Sequence, residues 1–567
     1  MDDLERGGVR YLFVNWGSEH PPLIEALARR ASARRRWPQP IVCPHETVAL
    51  SAAQGYAQLT GQPQGVIVHA DVGTQNLGGA LHNCCRSRTP ALIFGGVSPH
   101  AVLGEEFGGR NEYQMVLQDV PDQHAIVRQY MKWTYHARSA AHLPMVTRRA
   151  FEVAASEPTG PVYLSLSREV LEAPASPVDA VTSFAPAVLG GLRPENAEAI
   201  LAALRAAQKP LLITTYLGRK PSAVQALVEF SETFAVPVLE SFPHFVNFPA
   251  THPHHLGFHL HTRQQPQLAQ ADLVLVVDCD FPWLPANENI RPGTPVFHID
   301  VDVGKERIPL WHVPRTRALA ADSGTALRQL IALAKDFGQT ITDAVRQARS
   351  QTLAAEHERR MRELQAEEDA GRRGKPTAAL LAAALREQLG DDDLVLNEAI
   401  TNAGAVLAHL RRKHPGTLFG SGGSSLGWSG GAALGLKLAA PQRTIVSIIG
   451  DGSYIFSAPS AVHWVATRYG LATLTVVLNN GGWRAPEKST LAIHADGDAR
   501  RGGTYFNEFK PSVDYVALGK AAGVKFARVI SQASELEPAL AEALTAVKAG
   551  QPALLEIQIE GSTVQRI

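Results

Sequence analysis

The 567-residue chain is 45% hydrophobic and 19% charged, the composition of an ordinary globular protein and not of a disordered or fibrous one. That length exceeds what a single core supports and implies roughly three or four domains. Lys+Arg and Asp+Glu both number 54, so no basic excess points to nucleic acid or to an anionic membrane as a partner. Cys43, Cys84, Cys85 and Cys279 show no CxxC spacing and read as reduced thiols of a cytoplasmic protein. The N-terminal MDDLERGGVRYLFVNWG lacks the basic and apolar regions of a signal peptide, and no stretch reaches the roughly 18 apolar residues of a membrane span.

In chain order, residues 1–173 carry short apolar runs (YLFVN, QGVIVHA, PALIFGG, GPVYLSL) that read as buried parallel strands. Amphipathic segments such as PPLIEALARRASARR alternate with them. The Pro-rich EAPASPVDAVTSFAPA then reads as a linker. A second block, 190–335, places strands at PLLITTY, VPVLES, LVLVVD and TPVFHIDVD. Residues 336–375 have the charge density of a solvated helix bridging two domains. The third block, 376–567, has strands at DLVLNE, TIVSIIGD, LTVVLNN and PALLEIQI. Strand–helix alternation in each block predicts an α/β protein of three doubly wound parallel-sheet domains. Ligands of such sheets lie off the carboxyl ends of the strands, so residues directly after strands are the candidates.

The strongest candidates are Gly450-Asp451-Gly452-Ser453 after TIVSII and Asn479-Asn480 after LTVVL, with 29 residues from Asp451 to Asn480. Glycines let backbone N–H groups approach a phosphate, and the oxygens of Asp451 and Asn480 are hard ligands suited to Mg²⁺. Upstream, FGSGGSSLGWSGGAALGLKLA is a Gly/Ser loop entering a small-residue helix, and Asn397-Glu398-Ala399-Ile400-Thr401-Asn402 follows the strand DLVL. In the first block Glu46 opens a helix after PIVC, in PHE followed by TVALSAAQGYAQLTG; alone it reads as a first-turn acid on the helix dipole. His69 closes QGVIVHA, Ser18 stands in NWGSEH and Gln118 in LQDV, while Arg484 and His494 follow Asn479-Asn480.

GDGS paired with a strand-ending NN resembles the signature of thiamine diphosphate enzymes. With PHE and GYAQLTG, the chain is similar throughout to the superfamily of acetolactate synthase, benzoylformate decarboxylase and related 2-oxo acid decarboxylases and C–C lyases. The resemblance implies pyrimidine-binding, central and diphosphate-binding domains in that order, with thiamine diphosphate and Mg²⁺ as cofactors. It implies that Asp451, Asn480 and the Gly482 carbonyl hold the metal. Gly450, Gly452, Ser453, Asn397 and above all Thr401 would lie at the diphosphate. Leu426 is implied as the wedge that bends the cofactor, and the Ser424 carbonyl as acceptor for its 4′-amino group. Glu46 would hydrogen-bond the pyrimidine nitrogen and help remove the thiazolium C2 proton.

On the substrate side the resemblance implies His69 as a proton shuttle, Ser18 as a substrate contact and Gln118 facing the reacting carbon. Arg484 is either a carboxylate ligand or a solvent-facing residue. The second histidine that benzoylformate decarboxylases take from the central domain has no counterpart at Phe281-Pro282-Trp283-Leu284, although His254, His255, His259 and His261 lie nearby. TTYLGRKP in place of a glycine run argues against FAD, and an end soon after PALLEIQI argues against acyl-CoA chemistry. The expected activity is decarboxylation of a small 2-oxo acid, with carboligation alongside. Acyloin synthesis of the acetolactate synthase type, 2-hydroxyacyl-CoA cleavage and, remotely, an inactive regulatory paralogue are the alternatives. Because Glu46 reaches cofactor on a neighbouring subunit in this superfamily, a homodimer at least, and a homotetramer commonly, is implied.

Overall fold

A computed structural model of the chain describes residues 1–174, 185–336, 338 and 340–559. Most of the Pro-rich linker, 175–184, lies outside the described residues. Three six-stranded sheets follow one another along the chain, and every strand pair in them is parallel. The first has the order Gln39–Val42, Tyr11–Val14, Gln64–Val68, Ala91–Gly96, Pro161–Leu166, Trp133–His136. The second runs Arg317–Ala320, Val296–Asp300, Leu273–Val277, Pro210–Thr214, Val238–Ser241, His255–His259. The third runs Leu418–Phe419, Leu394–Glu398, Ile445–Gly450, Leu474–Asn479, Ala553–Gln558, Phe526–Ile530.

Both faces of each sheet are covered, which is why the central strands are mainly apolar and nearly every position in them is buried. In the first sheet Phe13, Ile41, Val66 and Ile93 pack to one side, while Leu12, Val14, Ile67 and Leu92 pack to the other. Full burial of such a side chain contributes about 1.5–3 kcal/mol. Strand order reverses between Tyr11–Val14 and Gln64–Val68, and between Leu394–Glu398 and Ile445–Gly450. Crevices at the carboxyl ends of those pairs are where an α/β sheet receives a ligand.

The first and third domains are locked together by helices Glu46–Thr60 and Trp428–Ala439. A Cβ on Gly55 would lie 2.2 Å from the Ala432 carbonyl oxygen, and one on Gly435 would lie 1.9 Å from that of Ala52. Only glycine permits that backbone approach. The central domain is clamped to the first by Arg88, whose guanidinium donates to Asp300 at 2.8 Å and to Asp280 at 2.7 Å. Lys305 bridges the same two carboxylates at 2.7 Å each. The charged segment after the central domain forms the mainly exposed helix Asp343–Ala370, tied to the third domain through its buried Glu368 and Arg386. No helix among the described residues is long and apolar enough to cross a membrane.

Candidate active site

In the third sheet Gly450 pairs with Leu478, so Asp451 and Asn480 emerge together from adjacent strand ends. Asp451 opens the short helix Asp451–Phe456. Its Oδ1 accepts the Gly452 N–H and its Oδ2 the Gly482 N–H, each at 2.8 Å. Burial raises the Asp451 carboxyl above its ordinary range, opposed by those backbone donors. Asn480 Oδ1 is buried with no hydrogen-bond partner among the described residues. A buried, unpaired amide oxygen is costly unless something binds it, and beside Asp451 it makes an all-oxygen donor set that fits Mg²⁺.

Packing explains the glycines. A Cβ on Gly452 would meet the Trp483 indole nitrogen at 2.1 Å, and one on Gly482, at φ +140°, would meet the Asn507 carbonyl oxygen at 2.1 Å. Space beside Gly450 is open, with nothing within 4 Å of an added Cβ. Arg484 donates to the Asn480 carbonyl at 3.1 and 3.0 Å and to Glu487 at 3.1 Å. It therefore braces the loop that carries Asn480, a role the sequence reading did not assign it. His494 is exposed at the end of helix Arg484–Ile493. Ser453 is buried in the first turn after Gly452.

Thr401 lies half-buried in the turn Ile400–Asn402, and Asn397 spends its amide locally, donating to the Ala403 carbonyl at 3.1 Å. Its neighbour Glu398 is buried and accepts the N–H groups of Trp428 and Ser429 at 3.3 and 2.7 Å, capping the helix that follows Leu426-Gly427. Burial pushes this carboxyl up to about 7 even against those donors. Leu426 is half-buried, and Ser424 is exposed at φ +62°. The first domain fixes this loop from the side. Asn83 exchanges two 2.9 Å bonds with the Ser425 backbone, and Gln54 donates to the Ser421 carbonyl at 2.9 Å. Asn83 and Gln54 were not anticipated, since nothing local in the sequence marks a contact across 342 or 367 positions, and Glu398 was quoted without a capping role.

At the carboxyl ends of the first sheet, Glu46 is the first residue of helix Glu46–Thr60, with His45 as N-cap accepting from the Thr47 N–H. Glu46 is 8% exposed, and Asn76 donates to its carboxylate. A Cβ on Gly73 would lie 3.3 Å from Glu46 Oε1 and 2.9 Å from His69 Cβ, so Glu46 and His69 share one crevice. His69 Nδ1 lies 2.6 and 2.7 Å from the two oxygens of Glu19, a buried carboxylate that also accepts the Ala70 N–H. That hydrogen bond, foremost, raises the His69 pKa, with Gln118 and the charge of Glu46 acting in the same sense and burial opposing. Glu19 itself is lowered, its burial outweighed by His69 and His20. His20 is pushed down to about 4 by burial and accepts the Gly17 N–H at 2.9 Å, so it is neutral.

Thus Glu46, His69 and Gln118 are brought together, whereas Ser18 is turned aside. Its hydroxyl donates to Glu112 at 3.0 Å. Glu19, inside the quoted NWGSEH, and Asn76, seven residues after His69, hold His69 and Glu46 and had no assigned role. Among the described residues no hydrogen bond joins Glu46, His69 or Gln118 to any residue of Gly450–Gly482.

Three family models match the chain in sequence. The thiamine pyrophosphate enzyme N-terminal TPP binding domain covers residues 1–126, the central domain 197–330 and the C-terminal TPP binding domain 399–557. Benzoylformate decarboxylase of Pseudomonas aeruginosa is 26% identical over 98% of this chain and 97% of its own. A protein of the same organism named "probable 2-ketoarginine decarboxylase" is 30% identical over 73% of this chain and 70% of its own. The solved 4-hydroxybenzoylformate decarboxylase of Rhodococcus jostii superposes with a TM-score of 0.80 over 99% of this chain and 98% of its own, at 22% identity. The chain belongs to the thiamine pyrophosphate (thiamine diphosphate) enzymes.

Proposed function

We propose that the protein decarboxylates a 2-oxo acid, with Mg²⁺ and thiamine diphosphate held by the third domain and proton transfer conducted by the first. Asp451, Asn480 and the Gly482 carbonyl would hold Mg²⁺ against the diphosphate, which Gly450, Gly452, Ser453 and Thr401 would surround. Leu426 and the Ser424 carbonyl would set the ring conformation. When bound, the cofactor supplies an electron-accepting thiazolium that takes up the electron pair released with CO₂. Glu46, in a nearly dry pocket, would hold the proton that is exchanged with the pyrimidine ring.

The observation that carries the decarboxylase reading is the Glu19–His69 pair. An imidazole held at 2.6 Å by a buried carboxylate keeps its proton to higher pH than a free one and can pass it on, which is what release of an aldehyde after loss of CO₂ requires. Gln118 beside it supports a second reading, in which the same carbon bonds to an acceptor carbonyl and an acyloin forms. Product analysis with thiamine diphosphate, Mg²⁺ and a panel of aliphatic, branched and aromatic 2-oxo acids, with and without acceptor aldehydes, tests both. CO₂ and free aldehyde, lost in Glu46→Ala, are expected. If the cofactor binds and no 2-oxo acid is consumed, the reading is wrong.

We further propose that the working unit is at least a dimer in which Glu46 of one copy serves the Asp451 site of the other. Large apolar side chains exposed along the first domain (Leu103 92%, Phe107 82%, Leu117 75%) and at Phe506 (97%) in the third support burial against a second copy.

A further inference from the structure

A buried cluster in the central domain has no part in the chemistry above. Strand His255–His259 ends at the carboxyl edge of the central sheet, and the chain turns there with His261 at φ +58°. The side chains of His259, His261 and Glu288 converge, their ligand atoms all within 4.8 Å of one another, and all three residues are buried. Glu288 Oε2 is 2.8 Å from His261 Nδ1, and Glu288 Oε1 contacts His259 Nε2. Among the described residues, these two histidines are the ion-pair partners of Glu288; it has no lysine or arginine.

Hydrogen bonding fixes the tautomer of His261. Ser241 Oγ donates to the Phe281 carbonyl at 2.8 Å and lies 2.9 Å from His261 Nε2. A hydroxyl has one hydrogen and a carbonyl can only accept, so the hydrogen between Ser241 and His261 belongs to Nε2. Neutral His261 therefore turns a bare Nδ1 lone pair on a carboxylate oxygen that already accepts the Leu284 N–H at 2.9 Å. Two acceptors face each other in a buried setting, which is costly unless a cation lies between them. A hydroxyl that holds the remote nitrogen of a histidine and orients its ring is also how outer partners position metal ligands.

We propose that His259 Nε2, His261 Nδ1 and the Glu288 carboxylate bind a divalent ion of the zinc class, separate from the cofactor's Mg²⁺. Two imidazoles and one carboxylate suit zinc with an open fourth position, whereas the all-oxygen set at Asp451 and Asn480 suits Mg²⁺, so the two sites do not compete for one ion. Leu260, between the two histidines, packs where a Cβ on Gly404 would lie 2.4 Å from its Cδ1. An ion at the cluster thus fastens the central domain against the helix that follows the Ile400–Asn402 turn.

The test uses the full-length protein saturated with thiamine diphosphate and Mg²⁺, titrated with Zn²⁺ against a chromogenic chelator. Co²⁺-loaded protein is examined in parallel by X-ray absorption. A single tightly held zinc ion per chain is expected, with imidazole nitrogen and carboxylate oxygen around cobalt. Glu288→Gln and His261→Ala should weaken zinc binding by more than about 100-fold, beyond what loss of an outer partner costs, while Asp451→Asn leaves it unchanged. Wild-type protein that yields all its zinc to the chelator, or Glu288→Gln that binds as wild type does, overturns the proposal and leaves a shared proton in place of the ion. If a variant loses its far-UV circular dichroism, the wild-type cobalt spectrum decides: a shell without imidazole overturns the site.

Discussion

The carboxylate of Glu19 is accommodated because Gly17 and Gly96 leave it room: a Cβ on Gly96 would lie 2.0 Å from Glu19 Oε1, and one on Gly17 would lie 1.9 Å from His69 Nδ1. A histidine whose pKa is raised stays protonated below that pKa and loses its proton as pH rises through it. Activity that draws on protonated His69 is therefore present at low pH and falls on the basic side. Glu19→Gln keeps the shape and removes the anion, so the basic limb of the kcat/KM profile should move to lower pH, with a larger loss at pH 8 than at pH 6. A profile that falls uniformly without moving would show that Glu19 only positions the ring. On the cofactor side, Asn480→Leu replaces the unpaired Oδ1 with a methyl group. It should weaken Mg²⁺-dependent binding of thiamine diphosphate by at least about tenfold, the equivalent of 1.4 kcal/mol, as read by calorimetry. The cofactor motifs were legible in the sequence because each is local, a strand end plus its next few residues. Glu19, Asn83 and Glu398 were not, because their partners are set by topology and not by spacing.

At the scale of elements, the crossing of helices Glu46–Thr60 and Trp428–Ala439 fixes where both Glu46 and the Leu426 loop begin. Helix propensity alone favours alanine over glycine by about 1 kcal/mol. At Gly435 the added methyl group would meet a backbone oxygen at 1.9 Å, and backbone cannot swing away as a side chain does. Overpacking of about 1–3 kcal/mol wins, so Gly435→Ala should lower the urea midpoint and weaken cofactor binding together. A midpoint equal to or above that of the wild type would sink this account of the crossing. The same scale explains what sequence patterning could see of the fold. The inner strands of all three sheets are buried on both faces and stand out as mainly apolar runs. Edge strands are covered on fewer sides: Arg317–Ala320 is largely exposed, Phe526–Ile530 has one buried residue, Trp133–His136 has none, and His255–His259 carries three partly exposed positions. With Leu418–Phe419 only two residues long, these five were missed, whereas the edge strand Gln39–Val42 was seen through its apolar PIVC.

For the whole molecule the decisive question is whether the Glu46 crevice and the Asp451–Asn480 crevice meet within one chain or between two. Inside the chain the Glu46 helix and the Trp428 helix run into each other through glycines, and among the described residues no hydrogen bond joins Glu46 or His69 to Asp451 or Gly482. If each working site combines Glu46 of one copy with Asp451 of another, two separately inactive variants can repair each other. In a two-fold dimer of Glu46→Ala with Asp451→Ala, one site receives both lesions and the other receives neither. Random reassortment of equal amounts makes half the dimers mixed, each with half its sites intact, so about a quarter of wild-type activity per chain should return. That recovery should require conditions that let subunits exchange and should vanish on rapid mixing without exchange. Leu103→Asp with Phe107→Asp, which places charge on the exposed apolar segment, should lower both the sedimentation coefficient and the activity at low protein concentration. No recovery from fully reassorted subunits would place Glu46 and Asp451 in the same chain's site. The exposed apolar side chains would then need a different explanation.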